Sequence, residues 1–562
     1  MAKTYLQKIK EKVDSGVSYQ KKYFKDRAER NTGLYQGYFI SENQSDADKI
    51  PNNANLTYST TRTIVSSVYA KNPSFQVMIM RDVSDFVDNL KLQGIDISKQ
   101  AMETAFEFSL KLLIYNMDLH RTNRLAITDC VVQGFGVTKL GYKYEVDSAL
   151  KEQFIQSASA LNSNEMIKTN YPYILRCNPQ NIILPSEASD PNKATWVNEK
   201  IYITKEDAKK QYKVDLKADY IPTYTSENDK ANSMVLINEF HDFENNKIVV
   251  FSGNEKLDEK PYPLIDKDGN ARSLYDFLWF NDSLAEIVYP TSDIDLVITQ
   301  IIEANAQVER RINFNRKNTP KIFLNGSWEE SAVRQIKEGE DLEVVINETG
   351  DGTVQNIPVQ TLGSEFYVNI QSIKSEIYEI LGITDYQVGG STQQRKATEA
   401  QLIDRSRQDR VGERVRIIEE WHYSQVDKLV ELIKSYQDIA LVSKIEYEDK
   451  IIEVQLDKEL FDTADVDIVI VPGSTVSVDK YEQDALLMQD IQMASLAPNV
   501  INAGELLRQY YKKRGYTNLE KIIPTQQPMS VDFGQLPGAQ GQAGVPSATP
   551  EQQGVLPNTG AQ

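Results

Sequence analysis

The sequence is poor in the residues on which metal sites and disulfide frameworks depend. It contains only three histidines, His120, His241 and His422, and none lies near another histidine or a cysteine. A metal site of the His/Cys type is therefore not expected. The two cysteines, Cys130 and Cys177, are too few and too far apart for a disulfide framework, and they are consistent with a reducing compartment. We interpret both as small residues of the hydrophobic core.

The short motifs of phosphate binding and hydrolysis are also missing. No segment matches the phosphate-binding loop G-x-x-x-x-G-K-[ST], the nucleophile elbow G-x-S-x-G or the zinc motif H-E-x-x-H. The nearest approach, GFGVTKLG at residues 134–141, has the wrong spacing and a β-type context, which favours a turn. Asp293 and Asp295 are spaced by two on a predicted helix and face different directions, so capping and solvation are favoured over a shared Mg²⁺. We predict a protein that is not an enzyme and has no cofactor or metal.

Long apolar runs are absent, and positive charge is in deficit. No stretch approaches the roughly 18 apolar residues of a membrane span, and the start lacks the apolar core of a signal peptide. We therefore expect a soluble intracellular product with no membrane association. The 62 basic and 81 acidic residues give a net charge of -19, which argues against gripping nucleic acid through overall charge. The charge does not exclude a protein that forms a conduit for DNA, because a wall with few fixed cations would let a duplex slide. The alternative is that the acidity only maintains solubility.

The length and the residue patterns indicate a mixed fold of several parts. A chain of 562 residues exceeds the usual size of one hydrophobic core, so two or more subdomains are expected. The pattern predicts an exposed amphipathic helix over residues 3–36, a helix that stops at Asn72-Pro73, and one long helix over residues 85–127. From residue 134 to residue 251 the pattern changes to β-type alternation. The fold class is therefore α+β, mainly α.

Two long helices with apolar stripes are the most informative feature. The spacings of three and four residues place each stripe on one helix face. Ser292 is a suitable N-cap with Asp295 at the third helical position, and Gly382 is a natural end for the second helix. The stripes consist of Ile294, Ile298, Ile301, Asn305, Val308 and Ile312 in the first helix, and of Phe366, Ile370, Ile373, Ile377 and Ile380 in the second. Packing inside one chain would explain a single stripe, but two stripes favour contacts between neighbouring subunits, with Asn305 fixing the register between helices.

Three further patterns complete the chain. Strands with a hairpin turn at Asp351-Gly352 separate the two striped helices. A polar loop follows at residues 384–396, and a capping box of Thr398 and Gln401 then opens a helix that reaches to about Gln437. Residues 479–521 are predicted to be helical. The last 38 residues contain eight Gln, six Gly and five Pro with no Lys or Arg, which predicts a disordered tail.

The order of these elements and four local segments resemble the portal proteins of tailed double-stranded-DNA bacteriophages. The segments are NLTYSTTRTIVSSVYAKNPSFQV (55–77), DCVVQGFGVTKLGY (129–142), YPTSDIDLVITQIIEANAQVERR (289–311) and KATEAQLIDRSRQDRVGERVRIIEEW (396–421). The third segment looks like the portal stem helix, with Gln300 and Asn305 at the family's Gln and Asn positions. The fourth is similar to the start of the long wing helix. The resemblance covers roughly residues 56–521.

The resemblance implies a portal-like fold of named parts. These are the N-terminal helices and mixed wing (1–290), the first stem helix (291–317), the β-containing clip (318–363), the second stem helix (364–382), the tunnel loop (383–396), the long wing helix and a β-rich segment (397–478), the helical crown (479–524) and the disordered tail (525–562). It also implies two functional surfaces. The eleven stripe residues would form the subunit interface. The DNA-facing surface of the tunnel loop would consist of Gly389, Gly390, Ser391, Thr392, Gln393, Gln394, Arg395 and Lys396.

The resemblance further implies a ring of about twelve subunits at one capsid vertex, which is the conduit for genome packaging and ejection. Such a protein belongs to the virion and is assembled in the host cytoplasm. Its partners would be double-stranded DNA, bound transiently and without sequence preference, the terminase large subunit, the major capsid and scaffolding proteins, and the tail adaptor. The packaging ATPase belongs to the terminase, in agreement with the missing phosphate-binding loop. The alternative is another helical virion structural protein, such as a head-tail adaptor or an internal core protein.

Overall fold

The computed structural model describes most of the first 475 residues. The described residues are 4–39, 50–51, 53–80, 99–146, 167–217, 234–283, 286–317, 321–338, 351–357, 363–383, 397–436, 441–447, 450–456, 466–471, 474–475, 489, 492–493 and 507. The chain divides into two units, Met1–Val476 and Ser477–Gln562, and every contact described below lies within the first. Nearly all of the predicted crown and the whole predicted tail lie outside the described residues.

The described part of the chain is a mixture of helices and antiparallel strands, as the predicted α+β class requires. The helices are α1 (Tyr5–Gln20), α2 (Asp26–Gln36), α3 (Leu56–Val68), α4 (Lys99–Asn116), α5 (Leu119–Gln133), α6 (Lys205–Tyr212), α7 (Asp293–Leu296), α8 (Ile298–Lys317), α9 (Glu330–Glu338), α10 (Ser364–Leu381) and α11 (Ala397–Tyr436). The strands are β1 (Tyr38–Phe39), β2 (Ile50–Pro51), β3 (Phe75–Ile79), β4 (Gly136–Val146), β5 (Ile167–Cys177), β6 (Ile182–Ile183), β7 (Trp196–Thr204), β8 (Met234–Asp242), β9 (Lys247–Ser252), β10 (Glu255–Pro261), β11 (Tyr275–Leu278), β12 (Lys321–Asn325), β13 (Thr353–Ile357), β14 (Leu441–Tyr447), β15 (Lys450–Leu456) and β16 (Val466–Ile470).

The strands of the described residues form two larger sheets and four two-stranded ones. The larger sheets have the orders β10-β9-β8-β7-β6 and β11-β4-β5, and the pairs are β1-β2, β12-β13, β14-β15 and β3-β16. The β3-β16 pair joins an early strand to the last one, with Phe75 opposite Ile470. The edge strand β10 has the charged sequence EKLDEKP, which discourages pairing with another chain. The predicted change to β structure after residue 134 is confirmed.

The N-terminal helix is packed against a sheet on its apolar face. The helix prediction is confirmed, but α1 and α2 are joined by a π-helical turn, Lys21–Lys25. Ile9 and Val13 belong to a buried cluster with Trp196 of β7 and Phe240 of β8. At Gly16 a Cβ would lie 2.7 Å from Cγ2 of Ile183, so only glycine permits this approach. The expectation of an exposed helix is therefore wrong for its apolar face.

The predicted long helix of residues 85–127 is interrupted. In the described residues, α4 ends at Asn116 and α5 begins at Leu119. Asp118 between them has φ +52°, in the left-handed region, which no continuous helix contains. The apolar spacing runs through both helices because each buries one face, with Leu110 in one cluster and Ile127 in another. The pattern therefore indicated burial correctly and missed the break.

Helix α11 spans the two largest hydrophobic clusters. Its 40 residues, at 1.5 Å each, extend over roughly 60 Å. Trp421 packs with α3, α5, α8 and α10, whereas Leu429 and Ile433 pack with α4 and with the β3-β16 pair. The observed end at Tyr436 confirms the predicted end near residue 437. The side chains of the predicted capping box lie outside the described residues.

The two cysteines are core residues, as predicted. Cys130 and Cys177 are buried and unlinked. Burial raises the pKa of each thiol well above its usual value. Both groups therefore stay protonated, and they lack the thiolate that reactive cysteines require.

A buried polar network joins the two larger sheets. Lys139 of β4 lies 2.8 Å from a carboxylate oxygen of Glu199 and 3.0 Å from one of Glu239. His241 lies 2.9 Å from the Glu239 carboxylate, and the Tyr275 hydroxyl donates to Glu199 at 2.9 Å. Burial opposes the charge of Lys139, but the two carboxylates outweigh it and hold the pKa of Lys139 above its usual value. Removal of Lys139 would leave both largely buried carboxylates without their shared cation.

We expect the stability of the protein to fall in mild acid, partly through His422. Burial lowers the pKa of His422 to about 4 in the folded state, whereas the unfolded chain titrates near 6.5. Because the unfolded state then binds more protons, stability is lost as pH falls from about 6.5 towards about 4, and the loss between pH 7 and 5 is roughly 2 kcal/mol. Urea unfolding at both pH values should show a smaller loss for His422→Leu than for the unsubstituted chain. The partly exposed His120→Gln serves as the control and should retain the full loss; equal losses in all three proteins would contradict the prediction.

Candidate functional site

The two predicted stem helices are present, with one interruption. Val297 separates the short α7 from α8. The predicted N-cap at Ser292 is confirmed, because its hydroxyl accepts a hydrogen bond from the Asp295 N–H at 3.0 Å; the Asp295 carboxylate in turn accepts one from the Ser292 N–H at 3.2 Å. Helix α10 ends at Leu381, where Gly382 adopts the left-handed conformation, as predicted.

Most of the two apolar stripes is buried inside the chain. Helix α8 packs against α10, and the two share a cluster with α3, α5 and α11. Among the stripe residues, Ile294, Ile301, Asn305, Val308, Ile370 and Ile377 are buried, Ile298, Ile312, Phe366 and Ile373 are half-buried, and Ile380 is exposed. Packing inside one chain, the alternative explanation of the stripes, therefore accounts for the six buried residues. The subunit interface itself stays a prediction, and exposed side chains outside the buried part of the stripes are candidates for it.

Exposed apolar side chains also lie on α7, α8 and α10, and all but one of them are outside the stripes. Val368 is 65% exposed, Tyr367 54% and Ile302 51%. Ile380 and Leu296, at the ends of α10 and α7, are also exposed. We call α7, α8 and α10 together the two-helix element, and these five residues its apolar surface. Sequence reasoning missed the four that are not stripe residues, although Ile302 and Tyr367 directly follow stripe residues in the sequence, which was a usable signal.

Asp295 anchors the base of the element to the N-terminal helix. Its carboxylate accepts hydrogen bonds from the Asn31 amide at 2.9 Å and from the Arg30 guanidinium at 2.7 Å, and it lies 3.2 Å from Nε of Arg27. Arg27 also donates to the Pro290 carbonyl oxygen at 2.9 Å. Burial lowers the pKa of Arg27, and the charge of Asp295 opposes this. Three side chains of α2 thus hold the start of α7 in place.

Asp293 anchors the same base to the long helix. Its carboxylate is fully buried and accepts hydrogen bonds from the Asn281 amide at 2.9 Å and from the Arg414 guanidinium of α11 at 3.1 Å. The Arg414 guanidinium also stacks over the ring of Phe280, 5.3 Å from its centroid. Asp293 and Asp295 therefore face different partners, as predicted from their spacing. The expectation that they are solvated is wrong, because arginines and amides take the place of water.

Asn305 makes a contact that its position in the stripe did not suggest. Its side-chain oxygen accepts hydrogen bonds from the backbone N–H groups of Asn53, at 2.8 Å, and Ala54, at 3.4 Å. These residues precede α3 and are not part of a helix. Asn305 therefore holds the chain that enters α3, and its role in the register between helices stays a prediction.

The predicted clip contains two of the expected strands and one additional helix among the described residues. Strand β12 pairs with β13, so that Asn325 lies opposite Thr353, and α9 lies between them in sequence. The side chain of Asp351 accepts a hydrogen bond from the Ser327 N–H at 3.0 Å. The strand predicted before Asp351-Gly352 and the whole predicted DNA-facing surface, residues 389–396, lie outside the described residues.

Neither a metal-binding cluster, nor a membrane-spanning helix, nor a match to a known family or curated protein was found for the described residues and the sequence. Within the described ranges, no three His, Cys, Asp or Glu side chains gather in a way that could hold a metal ion. None of the helices in the described residues is both long and apolar enough to cross a membrane. No known family model matches the sequence, and no curated protein matches it.

We expect the Asp293–Arg414 contact to be a strong determinant of stability. Replacing Arg414 by Met would leave a fully buried carboxylate without its cation, which costs about 3 kcal/mol. Arg416→Met is the matched control on the same helix: it removes an ion pair with Glu420 in which both side chains are more than two thirds exposed, and it should cost under about 1 kcal/mol. Urea unfolding of both variants measures the difference. Similar losses of unfolding free energy for the two variants would show that the buried contact stabilises the protein no more than the exposed ion pair does.

Proposed function

We propose that this protein is the portal protein of a tailed double-stranded-DNA bacteriophage, a structural ring subunit and not an enzyme. The observation that carries the proposal is the order of elements around the two-helix element. Helices α8 and α10 pack together and are connected through the β12-β13 pair, and the 40-residue α11 follows after residues 384–396. This order corresponds to the stem, clip, tunnel loop and long wing helix of the family that the sequence resembles.

The apolar surface of the two-helix element supports assembly into a ring. Ile302, Tyr367 and Val368 expose more than half of their side chains in the single chain. Large apolar side chains that stay exposed on a packed element are candidates for a surface that a partner covers. A head-to-tail contact through this surface closes into a ring when the rotation per subunit divides the circle, and the family resemblance suggests about twelve subunits.

The charge of the chain supports a conduit through which DNA moves. The net charge is -19, and each fixed cation on a channel wall would add affinity for phosphate and so resist sliding. The DNA-facing segment proposed from the resemblance, residues 389–396, contains only Arg395 and Lys396 as cations. Its glycines and its Ser, Thr and Gln residues would contact phosphates through neutral groups and hold them weakly.

The proposed place of the protein is one vertex of the virion, reached by assembly in the host cytoplasm. Its partners would be the major capsid and scaffolding proteins, the terminase large subunit during packaging and the tail adaptor afterwards. A second candidate is another helical virion protein, such as a head-tail adaptor or internal core protein. The exposed apolar surface would suit that function equally well, and a closed ring with an axial hole distinguishes the two.

We expect substitutions in the apolar surface to abolish ring formation without unfolding the chain. Ile302→Asp with Val368→Asp changes two side chains that the folded chain already exposes, so the circular-dichroism spectrum should not change. At a subunit contact the same two charges would be buried without partners, at a cost of several kcal/mol. Native mass measurement and end-on negative-stain images should then show monomers in place of rings.

Tyr115→Asp is the matched control for this prediction. Tyr115 is 82% exposed and lies on α4, outside the two-helix element. This variant should form rings as the unsubstituted chain does. Rings formed by the Ile302/Val368 double variant would show that the subunit contact lies elsewhere.

We expect deletion of residues 389–394 to impair retention of packaged DNA. The deletion leaves the two-helix element and α11 intact, so rings and capsids should still assemble. The loss of contacts would be repeated in every subunit of the ring, which amplifies a small change per subunit. The measurement is the amount of genome per particle before and after nuclease treatment, with rings confirmed by microscopy. A normal, nuclease-resistant DNA content would leave this segment with a structural role only.

A further inference from the structure

A groove of about 700 Å³ lies between β11 and the middle of α11. Strand β11 and the residues that flank it contribute one side, and α11 contributes another between Glu413 and Lys428. Six aromatic residues line it: Phe243, Tyr275, Phe277, Trp279, Phe280 and Trp421. The proposed function uses none of these residues.

One edge of β11 faces no other strand. In the three-stranded sheet, β11 pairs with β4 alone. The Leu140 N–H donates to the Leu274 carbonyl at 2.9 Å, and Tyr275 lies opposite Lys139. Because Leu274 and Leu140 form a hydrogen-bonded pair, the adjacent Tyr275 belongs to a non-hydrogen-bonded pair. The two kinds of pair alternate along an antiparallel ladder, so Phe277 also belongs to a non-hydrogen-bonded pair. The backbone N–H and C=O of both residues therefore point away from β4.

The edge is closed at Tyr275 and open at Phe277. The Tyr275 N–H donates to the Ser273 hydroxyl at 3.1 Å, and the Tyr275 carbonyl accepts from the Lys428 ammonium at 3.0 Å. Among the described residues, no strand or side chain pairs with the outward N–H and C=O of Phe277. Phe277 is itself buried. Because unpaired backbone groups in a buried residue are unfavourable, a partner that forms hydrogen bonds with both its N–H and its C=O would be stabilising.

The charges that line the groove leave a negative excess. Arg272 is held by Asp427 and Glu431, and Lys428 by Asp276, whereas Arg416 forms an exposed ion pair with Glu420. Two further acids that line the groove, Asp282 and Glu413, are exposed and have no cation partner among the described residues. A basic partner would find complementary charge here, whereas a second copy of this acidic chain is disfavoured.

We propose that this groove binds an extended basic peptide segment of a partner protein, which adds to the open edge of β11 as a short strand. One residue of the segment would exchange two backbone hydrogen bonds with Phe277. Its neighbours would lie against the aromatic rings, and its Lys or Arg side chains would reach Asp282 and Glu413. The inference goes beyond ring assembly and does not depend on it.

The test uses the full chain and a fluorescently labelled probe peptide, acetyl-Lys-Thr-Val-Thr-Lys-amide, with binding measured by fluorescence anisotropy. We expect saturable binding and slower hydrogen exchange of the Phe277 amide. Methylation of the three central amide nitrogens should weaken binding at least about 10-fold, because it removes the strand donors. The acidic peptide acetyl-Glu-Thr-Val-Thr-Glu-amide should bind at least about 10-fold more weakly than the basic one.

Paired variants separate the charge contribution from the rest of the groove. Asp282→Asn with Glu413→Gln should weaken binding of the basic peptide roughly 5- to 10-fold. The control, Glu206→Gln with Glu255→Gln, removes two exposed acids that do not line the groove and should leave binding unchanged.

Four results would overturn the proposal: no saturable binding at millimolar peptide, equal binding of the methylated peptide, equal binding of the acidic peptide, or equal effects of the two paired variants. Concentration-dependent protection of the Phe277 amide without peptide would also overturn it, in favour of a second copy as the occupant. Ring formation, scored separately by mass, has no bearing on these outcomes.

Discussion

The packing of α11 is the constraint on which the rest of the described structure depends. The middle of the helix places Val415, Ile418 and Trp421 in the cluster that contains the base of the two-helix element. The C-terminal part places Val426 and Ile433 in the cluster of α4 and the β3-β16 pair. A helix of this length has little stability alone, and burial of its apolar face supplies most of it. The two clusters are in turn connected because one rigid helix belongs to both.

Polar contacts along α11 determine its position against the rest of the chain. The Gln425 amide exchanges hydrogen bonds with the Asn123 amide at 3.0 Å and donates to the Thr138 hydroxyl at 2.9 Å, all inside the core. Lys428 lies 2.7 Å from the Asp276 carboxylate, with both groups buried. Apolar packing tolerates small shifts, but a displaced buried hydrogen bond leaves unsatisfied groups. These contacts therefore specify one position of α11 among those that would bury a similar apolar area.

The two-helix element has two unlike sides. One side is buried by the chain itself and is anchored through Asp293 to α11 and through Asp295 to α2. The other side exposes Ile302 and Val368 to solvent. Firm attachment at the base and apolar exposure along the length are what a subunit needs if it is to present a fixed surface to a neighbour. The portal proposal depends on this asymmetry more than on the stripes that first suggested it.

Local patterns in the sequence determined the end of α11, the Ser292 N-cap, the Gly382 cap and the burial of both cysteines, because each depends on residues close in the chain or on hydrophobicity alone. They did not determine the break at Asp118 or the partner of Asn305. Apolar periodicity reports that a helix face is buried and carries no information on whether the same chain or another covers it. The partners of polar side chains lie up to hundreds of residues away, as Arg30 and Asp295 show, so only the tertiary structure decided them.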